Sequence, residues 1–408
     1  MANYHVWHHS SLDGKPAFAT TALTVPALDP KTGLSGSTKE TKQFQSLRND
    51  MDKLRADGVL KDIVDATVVD VGTSTEGRQL WALKVGKGSA NKVLFTGCHH
   101  AREWISVEVP FLVAKYLIDN YNPKPSNDKE RRIKHLVDNR EIWFVPLVNP
   151  DGHDFTITDN RIWRANRKRY TFATDQTLDA PSLGGGSRSI AIKAGVYQGV
   201  DINRNYATST WGQETFQHGS VRTSRDPADS ARGIWAGPSA ASEVETQLIA
   251  GLMSAQSFRS SITYHNFSQL LLFPSAAKKD TFVQFVGKGM SKLINANGNP
   301  YTYEAGDALY PTTGDLMEFA YETAPGRPNF TPEVRPLEAS PPSKWFSGLP
   351  EAEIEPTFKE NLGAALALIN AAGFDAPTSS LKVTWNGDTT VVAQVVRNCW
   401  TVFEGFEA

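Results

Sequence analysis

Residues 97–106 contain the side chains best suited to chemistry, and they read Gly-Cys-His-His-Ala-Arg-Glu-Trp-Ile-Ser. Within them, His100 and Glu103 stand three positions apart. An apolar run at 93–95 precedes this segment and an amphipathic stretch at 104–121 follows it, which predicts a strand, a turn and a helix in that order. On such a turn an imidazole and a carboxylate can face one ion. Zinc takes ligands of this kind, and a catalytic zinc takes a third protein ligand and keeps one position open for water.

The spacing of these two residues also has a simpler interpretation. Short His-x-x-Glu spacings arise often by chance, and the segment equally fits a surface turn in which Arg102 pairs with Glu103. His99 would give a spacing of four residues in place of three. We take His100 as the ligand and interpret His99 as a neighbouring turn residue. Cys98 is either a reactive thiolate or a small buried thiol, and the usual behaviour of free cysteine favours the second.

A metal site needs a third ligand and groups that support it. His265 stands in an aromatic and β-branched stretch, where a lone histidine is either a core residue or the missing ligand. Asp201 precedes Asn-Arg-Asn, and a buried carboxylate beside a ligating histidine would orient its ring. Arg161 and Arg164 flank Trp163. Arginine binds carboxylates in a bidentate manner and stabilises oxyanions, although each arginine alone also fits a solvated salt bridge.

The surrounding pattern predicts the elements that position these residues. Strands are predicted at 66–71, 80–85, 92–96, 142–148 and 259–274, and helices at 38–64, 103–121, 131–139, 239–256, 281–296 and 358–372. Asn149-Pro150-Asp151-Gly152 predicts a turn, and loops are predicted at 170–200, 207–238 and 298–349. Strands that alternate with helices favour an α/β fold with a largely parallel or mixed sheet, covered on both faces.

Composition excludes several classes of function. The chain has 42 basic and 44 acidic residues, a formal net charge of −2 and no basic stripe, so we expect no nucleic-acid partner. No apolar run approaches the length needed to span a bilayer, and we expect no membrane partner. Cys98 and Cys399 are far apart in the sequence and do not indicate a disulfide framework.

The two ends of the chain differ from its middle. We expect an N-terminal arm at 1–37, one large domain at 38–375 and a β-rich extension at 376–408, where Asn386-Gly387-Asp388 predicts a hairpin. The first residues lack the basic and apolar pattern of a signal peptide. The expected location is therefore the cytoplasm, or outside the cell for a processed form of a secreted protein. We expect a monomer.

Several segments together make the chain resemble a known family, the zinc metallocarboxypeptidases of the carboxypeptidase A, B and T type. The segment at 97–106 is similar to the zinc-binding signature of that family. Further blocks agree in the same order, at Asn149–Gly152, Arg161–Arg164, Val200–Asn205, Gly237–Ala240, His265–Pro274, Tyr310–Tyr321 and Phe330–Glu333. The resemblance covers residues 39–373, and ordered agreement of many blocks is more specific than any one of them.

The resemblance implies a fold and a mechanism. The fold would be a single large α/β domain with a mixed central sheet of about eight strands flanked by helices. One zinc ion per chain would be held by His100, Glu103 and His265. Glu333 would be the general base that takes a proton from the attacking water and passes it to the leaving amine. Arg164 would stabilise the oxyanion.

The resemblance also implies which residues meet the substrate, the C-terminus of a peptide or protein. The terminal carboxylate would be bound by Asn203, Arg204 and Tyr310. Arg102 would contact the next residues of the substrate. Asp201 would orient the metal-binding ring of His100.

Several positions depart from the family pattern. Met317 falls where the floor residue of the pocket for the terminal side chain lies, and an apolar residue there implies a preference for hydrophobic or aromatic C-terminal residues. Asp315, two positions earlier, leaves dual specificity with basic residues open. Asn266-Phe267 replaces the more common Ser-Tyr after the third ligand, which puts the substrate contacts in question. Pro332, directly before Glu333, does the same for the position of the base.

The expected function is zinc-dependent hydrolysis of C-terminal peptide bonds. One alternative is a related zinc peptidase that trims bacterial cell-wall peptides of the γ-D-glutamyl-diaminopimelate type, although Asn203, Arg204 and Tyr310 suit an ordinary terminal carboxylate better. The other is a catalytically silent peptide-binding relative. Loss of a ligand or of Glu333 would indicate the silent protein, and the sequence retains all of them.

Overall fold

The computed structural model describes residues 66–88, 90–295, 301–337 and 353–373. The predicted N-terminal arm, the predicted helix at 38–64 and the predicted extension at 376–408 lie outside these ranges.

The described chain contains fourteen strands, of which eight form one central sheet. In chain order the strands are β1 (Ala66–Thr73), β2 (Gln79–Val85), β3 (Lys92–Gly97), β4 (Glu141–Val145), β5 (Arg169–Phe172), β6 (Gln176–Pro181), β7 (Ser187–Ile192), β8 (Gly195–Gln198), β9 (Thr215–Gln217), β10 (Ser220–Thr223), β11 (Ser260–Asn266), β12 (Leu270–Phe273), β13 (Thr302–Ala305) and β14 (Asn329–Val334). The sheet order is β1-β2-β4-β3-β11-β14-β12-β13. The sheet is mixed, since β3 runs parallel to β4 and β11 while β12 runs antiparallel to β14. The predicted mixed sheet is confirmed.

Eight α-helices accompany the strands in the described ranges. They are α1 (Ile105–Asp119), α2 (Asp128–Asn139), α3 (Pro150–Thr158), α4 (Val244–Gln256), α5 (Thr281–Asn295), α6 (Gly306–Leu309), α7 (Leu316–Thr323) and α8 (Ile354–Ala371). None of these helices is long and apolar enough to cross a membrane. The helices predicted from apolar periodicity agree with α1, α2, α4, α5 and α8 to within a few residues at most ends.

Two hydrophobic cores cover the two faces of the sheet. Side chains alternate between the faces along a strand, so Phe95 packs into the larger core beside α1, α5 and α8. Its neighbour Leu94 packs into the smaller core with Tyr206 and with residues of α4 and α7. Both faces of β3 are therefore apolar, which explains its continuous apolar run.

The predicted turn at 149–152 is instead the beginning of α3. The Asn149 side chain caps this helix by accepting a hydrogen bond of 3.0 Å from the backbone N–H of Gly152, and Pro150 occupies the first turn. Asparagine and proline are favoured in turns and at helix starts for the same reasons, so the sequence alone did not separate the two outcomes.

Further predictions were wrong in detail, and among them the loop predicted at 207–238 contains the strands β9 and β10. The single strand predicted at 259–274 is two strands, β11 and β12, and the chain reverses between them so that both flank β14. The loop predicted at 170–200 holds the nested hairpins β5–β8 and β6–β7, whose alternating residues are mostly exposed. The loop predicted at 298–349 contains β13, α6, α7 and β14.

Gly97 is the last residue of β3 and allows the turn that follows to pass close to α1. A Cβ atom at this position would collide with the backbone oxygen of Ser106 and lie 2.9 Å from that of Pro146. We expect Gly97→Ala to reduce the free energy of unfolding by about 3 kcal/mol, as overpacking of a rigid core does. Thermal unfolding followed by circular dichroism measures this effect.

Gly251→Ala is the matched control. Gly251 lies inside α4 and a Cβ there meets nothing within 4 Å. A helix is more stable with alanine than with glycine at an interior position by about 1 kcal/mol, so this variant should melt at or above the wild-type temperature. Equal melting temperatures for Gly97→Ala and wild type would contradict the packing argument.

Candidate active site

The predicted metal ligands and the predicted base lie where three neighbouring strands end. His100 follows the end of β3 by three residues, and His265 and Glu333 are the penultimate residues of β11 and β14. These strands run parallel, so their carboxyl ends meet at one edge of the sheet. That edge is where open α/β sheets bind ligands.

His100, Glu103 and His265 bring their ligand atoms to one point. The Nδ1 atom of His100 lies 2.7 Å from Oε1 of Glu103, and Nδ1 of His265 lies 2.8 Å from Oε2. The two Nδ1 atoms are 3.0 Å apart. All three side chains are buried, and among the described residues this is the group able to hold a metal ion. Two imidazoles and one carboxylate are a donor set that suits zinc.

Asp201 and Arg164 support this group from behind. The Oδ1 atom of the fully buried Asp201 lies 3.2 Å from Nε2 of His100, the nitrogen that faces away from the other ligands. Arg164 donates from Nε to Oδ2 of Asp201 at 3.2 Å and from Nη1 to Glu103 at 3.4 Å. The Arg164 guanidinium therefore contacts two buried carboxylates and offsets part of their charge. A carboxylate placed as Asp201 is fixes the orientation of a ligating ring.

The electrostatics keep two of the three ligands, Glu103 and His100, in the protonation states that bind a metal, whereas the charge of Glu103 outweighs burial and raises the pKa of His265. Burial alone would raise the pKa of Glu103, but the neighbouring His100 and His265 hold it well below its usual range. Burial lowers the pKa of His100, and the charge of Arg164 lowers it further. An ionised carboxylate and a neutral imidazole are the forms that coordinate metals.

Glu333 stands beside the ligands without being one of them. It is paired with His265 across the parallel strands and lines the same cavity as His100. Desolvation in this cavity raises the pKa of Glu333 to about 7, and the charge of Glu103 adds to the shift. Pro332 lies opposite Leu271 in β12, and Glu333 keeps its register with His265.

Asn203, Arg204 and Tyr310 line the same cavity. Asn203 and Arg204 lie in a short 3₁₀ turn, Ile202–Arg204, that Asp201 caps. The guanidinium of Arg204 is buried, and its Nη1 donates to the backbone oxygen of Asn203 at 2.8 Å. Its central carbon lies 5.8 Å from the ring centre of Tyr310.

No carboxylate among the described residues forms an ion pair with Arg204, and its Nε has no hydrogen-bond partner in that part of the chain. A buried cation without a counter-charge is costly. The cavity is thus prepared for an anion.

Met317 and Asp315 differ in how they face this cavity. Met317 is buried and packs with Leu270, Leu272 and Leu309. Asp315 caps α7, since its carboxylate accepts from the N–H of Glu318 at 3.0 Å and from the hydroxyl of Thr312 at 2.9 Å. Both oxygens of Asp315 already accept hydrogen bonds within the protein.

Arg102 does not line this cavity. Arg102 and Arg164 line a second cavity of about 320 Å³ together with Trp163. Arg102 donates to the backbone oxygen of Ile162 at 3.2 Å. Burial lowers the pKa of Arg102 to about 10, and the nearby charge of Arg164 contributes.

Two residues that adjoin the metal ligands were not predicted from the sequence as part of the site. His99, interpreted as a turn residue, is fully buried and its ring stacks on that of His265 at 5.7 Å. The hydroxyl of Thr263 lies 3.4 Å from Nε2 of His265. Side chains two positions apart in a strand share a face. The spacing of Thr263 and His265 could therefore have indicated that Thr263 lies beside the ligand.

Comparison with known proteins identifies the family. The zinc carboxypeptidase family model matches residues 61–364, and the chain belongs to that family. Members of this family use one zinc ion, and His100, Glu103 and His265 are the residues here that fit it.

Two curated relatives illustrate the degree of similarity. The chain is 29% identical over 316 residues to metallocarboxypeptidase A of Trichophyton tonsurans, covering 74% of this chain and 65% of the relative. It is 29% identical over 301 residues to carboxypeptidase B of Homo sapiens, covering 71% of this chain and 61% of the relative. The chain thus spans less than two thirds of the length of these relatives.

Solved structures share the fold. Bovine thrombin-activatable fibrinolysis inhibitor, solved in complex with tick carboxypeptidase inhibitor, matches with a TM-score of 0.61 and 24% identity over 82% of this chain and 96% of that one. Carboxypeptidase A of Helicoverpa armigera matches with a TM-score of 0.60 and 21% identity over 86% and 78%. At these identities the likeness concerns the fold.

His265→Ala should remove one of three ligands and weaken zinc binding sharply. The expected result is loss of stoichiometric zinc after dialysis against a mild chelator, measured by elemental analysis. His135→Ala is the control, because His135 is an exposed residue of α2. A full equivalent of zinc in His265→Ala would exclude His265 from the ligand set.

Proposed function

We propose that this protein is a zinc-dependent carboxypeptidase that removes the C-terminal residue of peptides and proteins. The observation that carries the proposal is the position of Arg204. This buried cation has no carboxylate partner among the described residues and lines the same cavity as His100 and Glu333. A peptide's terminal carboxylate would supply the missing charge beside the proposed reaction centre.

The carboxylate site explains why the enzyme would act at chain ends. Arg204 offers a planar fork of N–H donors that matches a carboxylate, and Tyr310 lies near it. The side-chain oxygen of Asn203 accepts from the N–H of Leu316 at 3.0 Å, which fixes the amide and leaves its NH₂ group as the donor. An internal peptide segment has no charge to place there, so binding selects the last residue.

The reaction follows from the groups around this position. Bound zinc would supply Lewis acidity, which lowers the pKa of water and polarises a carbonyl. Glu333 would accept a proton from the attacking water and deliver it to the nitrogen of the leaving amino acid as the C–N bond breaks. The guanidinium of Arg164, fixed by Asp201 and Gly233, would stabilise the negative oxygen that develops on the carbonyl.

The same pocket supports a preference for hydrophobic terminal residues. Met317 provides an apolar and adaptable wall, and Leu272 and Leu309 adjoin it. The two carboxylate oxygens of Asp315 already accept hydrogen bonds from the N–H of Glu318 and the hydroxyl of Thr312. A basic side chain of the substrate would have to compete with these hydrogen bonds. Relatives named metallocarboxypeptidase A and carboxypeptidase B both match this chain, so their names do not favour one kind of terminal residue. The proposed preference rests on the residues of the pocket.

A panel of blocked dipeptides ending in Phe, Leu, Arg or Glu tests this function, with and without a zinc chelator. We expect chelator-sensitive release, with Phe and Leu favoured over Arg by roughly tenfold or more. A Phe dipeptide with an amidated C-terminus is the matched control and should be inert, because it offers Arg204 no carboxylate. Equal cleavage of the amide would contradict the role of Arg204, and preferred release of Arg would give Asp315 the deciding role. No release from a zinc-loaded protein would favour the cell-wall or silent alternative.

Glu333→Gln tests the proposed base. Glutamine keeps the size of the side chain but cannot accept the proton, so kcat should fall by about 10²–10⁴-fold. Zinc content should stay at the wild-type level, since Glu333 is outside the ligand group. The control is Glu355→Gln, at an exposed position on α8, which should keep full activity. A Glu333→Gln variant as active as this control would remove Glu333 from the mechanism.

A further inference from the structure

A chain of buried polar groups leads away from His265 on the side opposite the metal ligands. Its Nε2 lies 3.4 Å from the hydroxyl oxygen of Thr263, and that oxygen lies 3.3 Å from Nδ1 of His99. The Nε2 of His99 lies 2.9 Å from the hydroxyl of Tyr206. All four side chains are at most 3% exposed, so water does not replace these contacts.

We propose that Thr263, His99 and Tyr206 are positioning residues that fix the ring of His265 for zinc. The inference rests on the proposed zinc site but not on any substrate.

The direction of each hydrogen bond follows from the metal site. His265 turns Nδ1 toward His100 and Glu103, so a neutral ring that coordinates through Nδ1 carries its hydrogen on Nε2. That N–H donates to the oxygen of Thr263. The Thr263 hydroxyl keeps its own hydrogen and donates it to Nδ1 of His99, and the N–H at Nε2 of His99 donates to Tyr206.

Asn203 does not compete for this role. Its side-chain nitrogen lies 3.4 Å from Nε2 of His265, but an NH₂ group has no free lone pair with which to accept from an N–H. Its oxygen is already used by the N–H of Leu316. Among the described groups near this nitrogen, Thr263 is therefore the acceptor.

The two ligating histidines are thus oriented by different chemistry. His100 faces a carboxylate, Asp201, whose charge Arg164 balances. His265 faces a neutral chain that adds no charge. A second carboxylate there would need a second buried cation, whereas hydroxyls and a neutral imidazole orient the ring without one.

The same series of hydrogen-bonded side chains also connects His265 to the part of the cavity where substrate is proposed to bind. The rings of His99 and His265 stack with an angle of 22° between their planes, which limits tilting of the ligand. Tyr206 packs on Phe319 of α7 at 5.5 Å and follows the turn that carries Asn203 and Arg204 by two residues. The ring of His265 and this turn are held by one buried network.

Thr263→Val tests the proposal with a side chain of nearly the same shape. It removes the acceptor of His265 and the donor to His99, so zinc affinity should fall about 10–100-fold, as for other groups that orient metal ligands. Competition with a chelator of known affinity measures this. The absorption bands of the cobalt-substituted protein, which report coordination geometry, should also shift. Thr263→Ser keeps the hydroxyl and should match wild type in both measurements.

Tyr206→Phe keeps the proposal testable if Thr263→Val does not fold. It removes only the last acceptor and retains the packing on Phe319, so we expect a fall in zinc affinity of the same sign but only a few-fold. Tyr264→Phe is its control, because the buried hydroxyl of Tyr264 has no partner among the described residues. This control should bind zinc like wild type.

The outcomes separate this proposal from the proposed function. Weaker zinc binding in Thr263→Val than in Thr263→Ser supports the positioning role even if no peptide is cleaved. Equal affinities and equal cobalt spectra for that pair overturn it, as do equal affinities for Tyr206→Phe and Tyr264→Phe if the first pair does not fold. A wild-type chain that binds no zinc overturns the metal site and this proposal together.

Discussion

The parallel alignment of β3, β11 and β14 is the constraint on which the rest of the site depends. Adjacent strands lie about 4.8 Å apart, and the shared direction of these three brings residues far apart in sequence to one edge. Two imidazole nitrogens and a carboxylate come within 3.0 Å of each other there. The sheet that holds these groups has a hydrophobic core packed against each face.

Charge balance then organises the second layer of the site. Glu103 and Asp201 are buried anions, and Arg164 contacts both. Arg204 is a buried cation to which no described carboxylate is paired. Arg164 therefore offsets part of the negative charge behind the metal ligands, and Arg204 leaves a positive charge where a peptide terminus would bind. This asymmetry, together with the apolar wall at Met317, supports the proposed function more directly than any residue taken alone.

Prediction succeeded where local pattern and tertiary environment agree. The apolar run of β3 and the helical periodicity of α1 reflect burial that both elements retain in the fold. Prediction failed where a pattern is compatible with two outcomes. In the stretch at 259–274, the reversal between β11 and β12 is marked only by the polar residues Asn266, Ser268 and Gln269, without glycine or proline, and both halves are buried strands. The hairpins at 169–198 are polar and exposed, so their pairing leaves little trace in hydrophobicity.

The sequence by itself determined the types of chemistry available: the ligand pair His100 and Glu103 on a turn after a strand, and the ordered blocks that indicate the family. Spacing can reveal such a pair because both residues lie on one local element. Only the tertiary structure decided which distant groups meet. The contact of His265 with Glu103, the pairing of Glu333 beside it and the burial of His99 against Thr263 all depend on strand order. Strand order follows from packing across the whole sheet, which no local segment encodes.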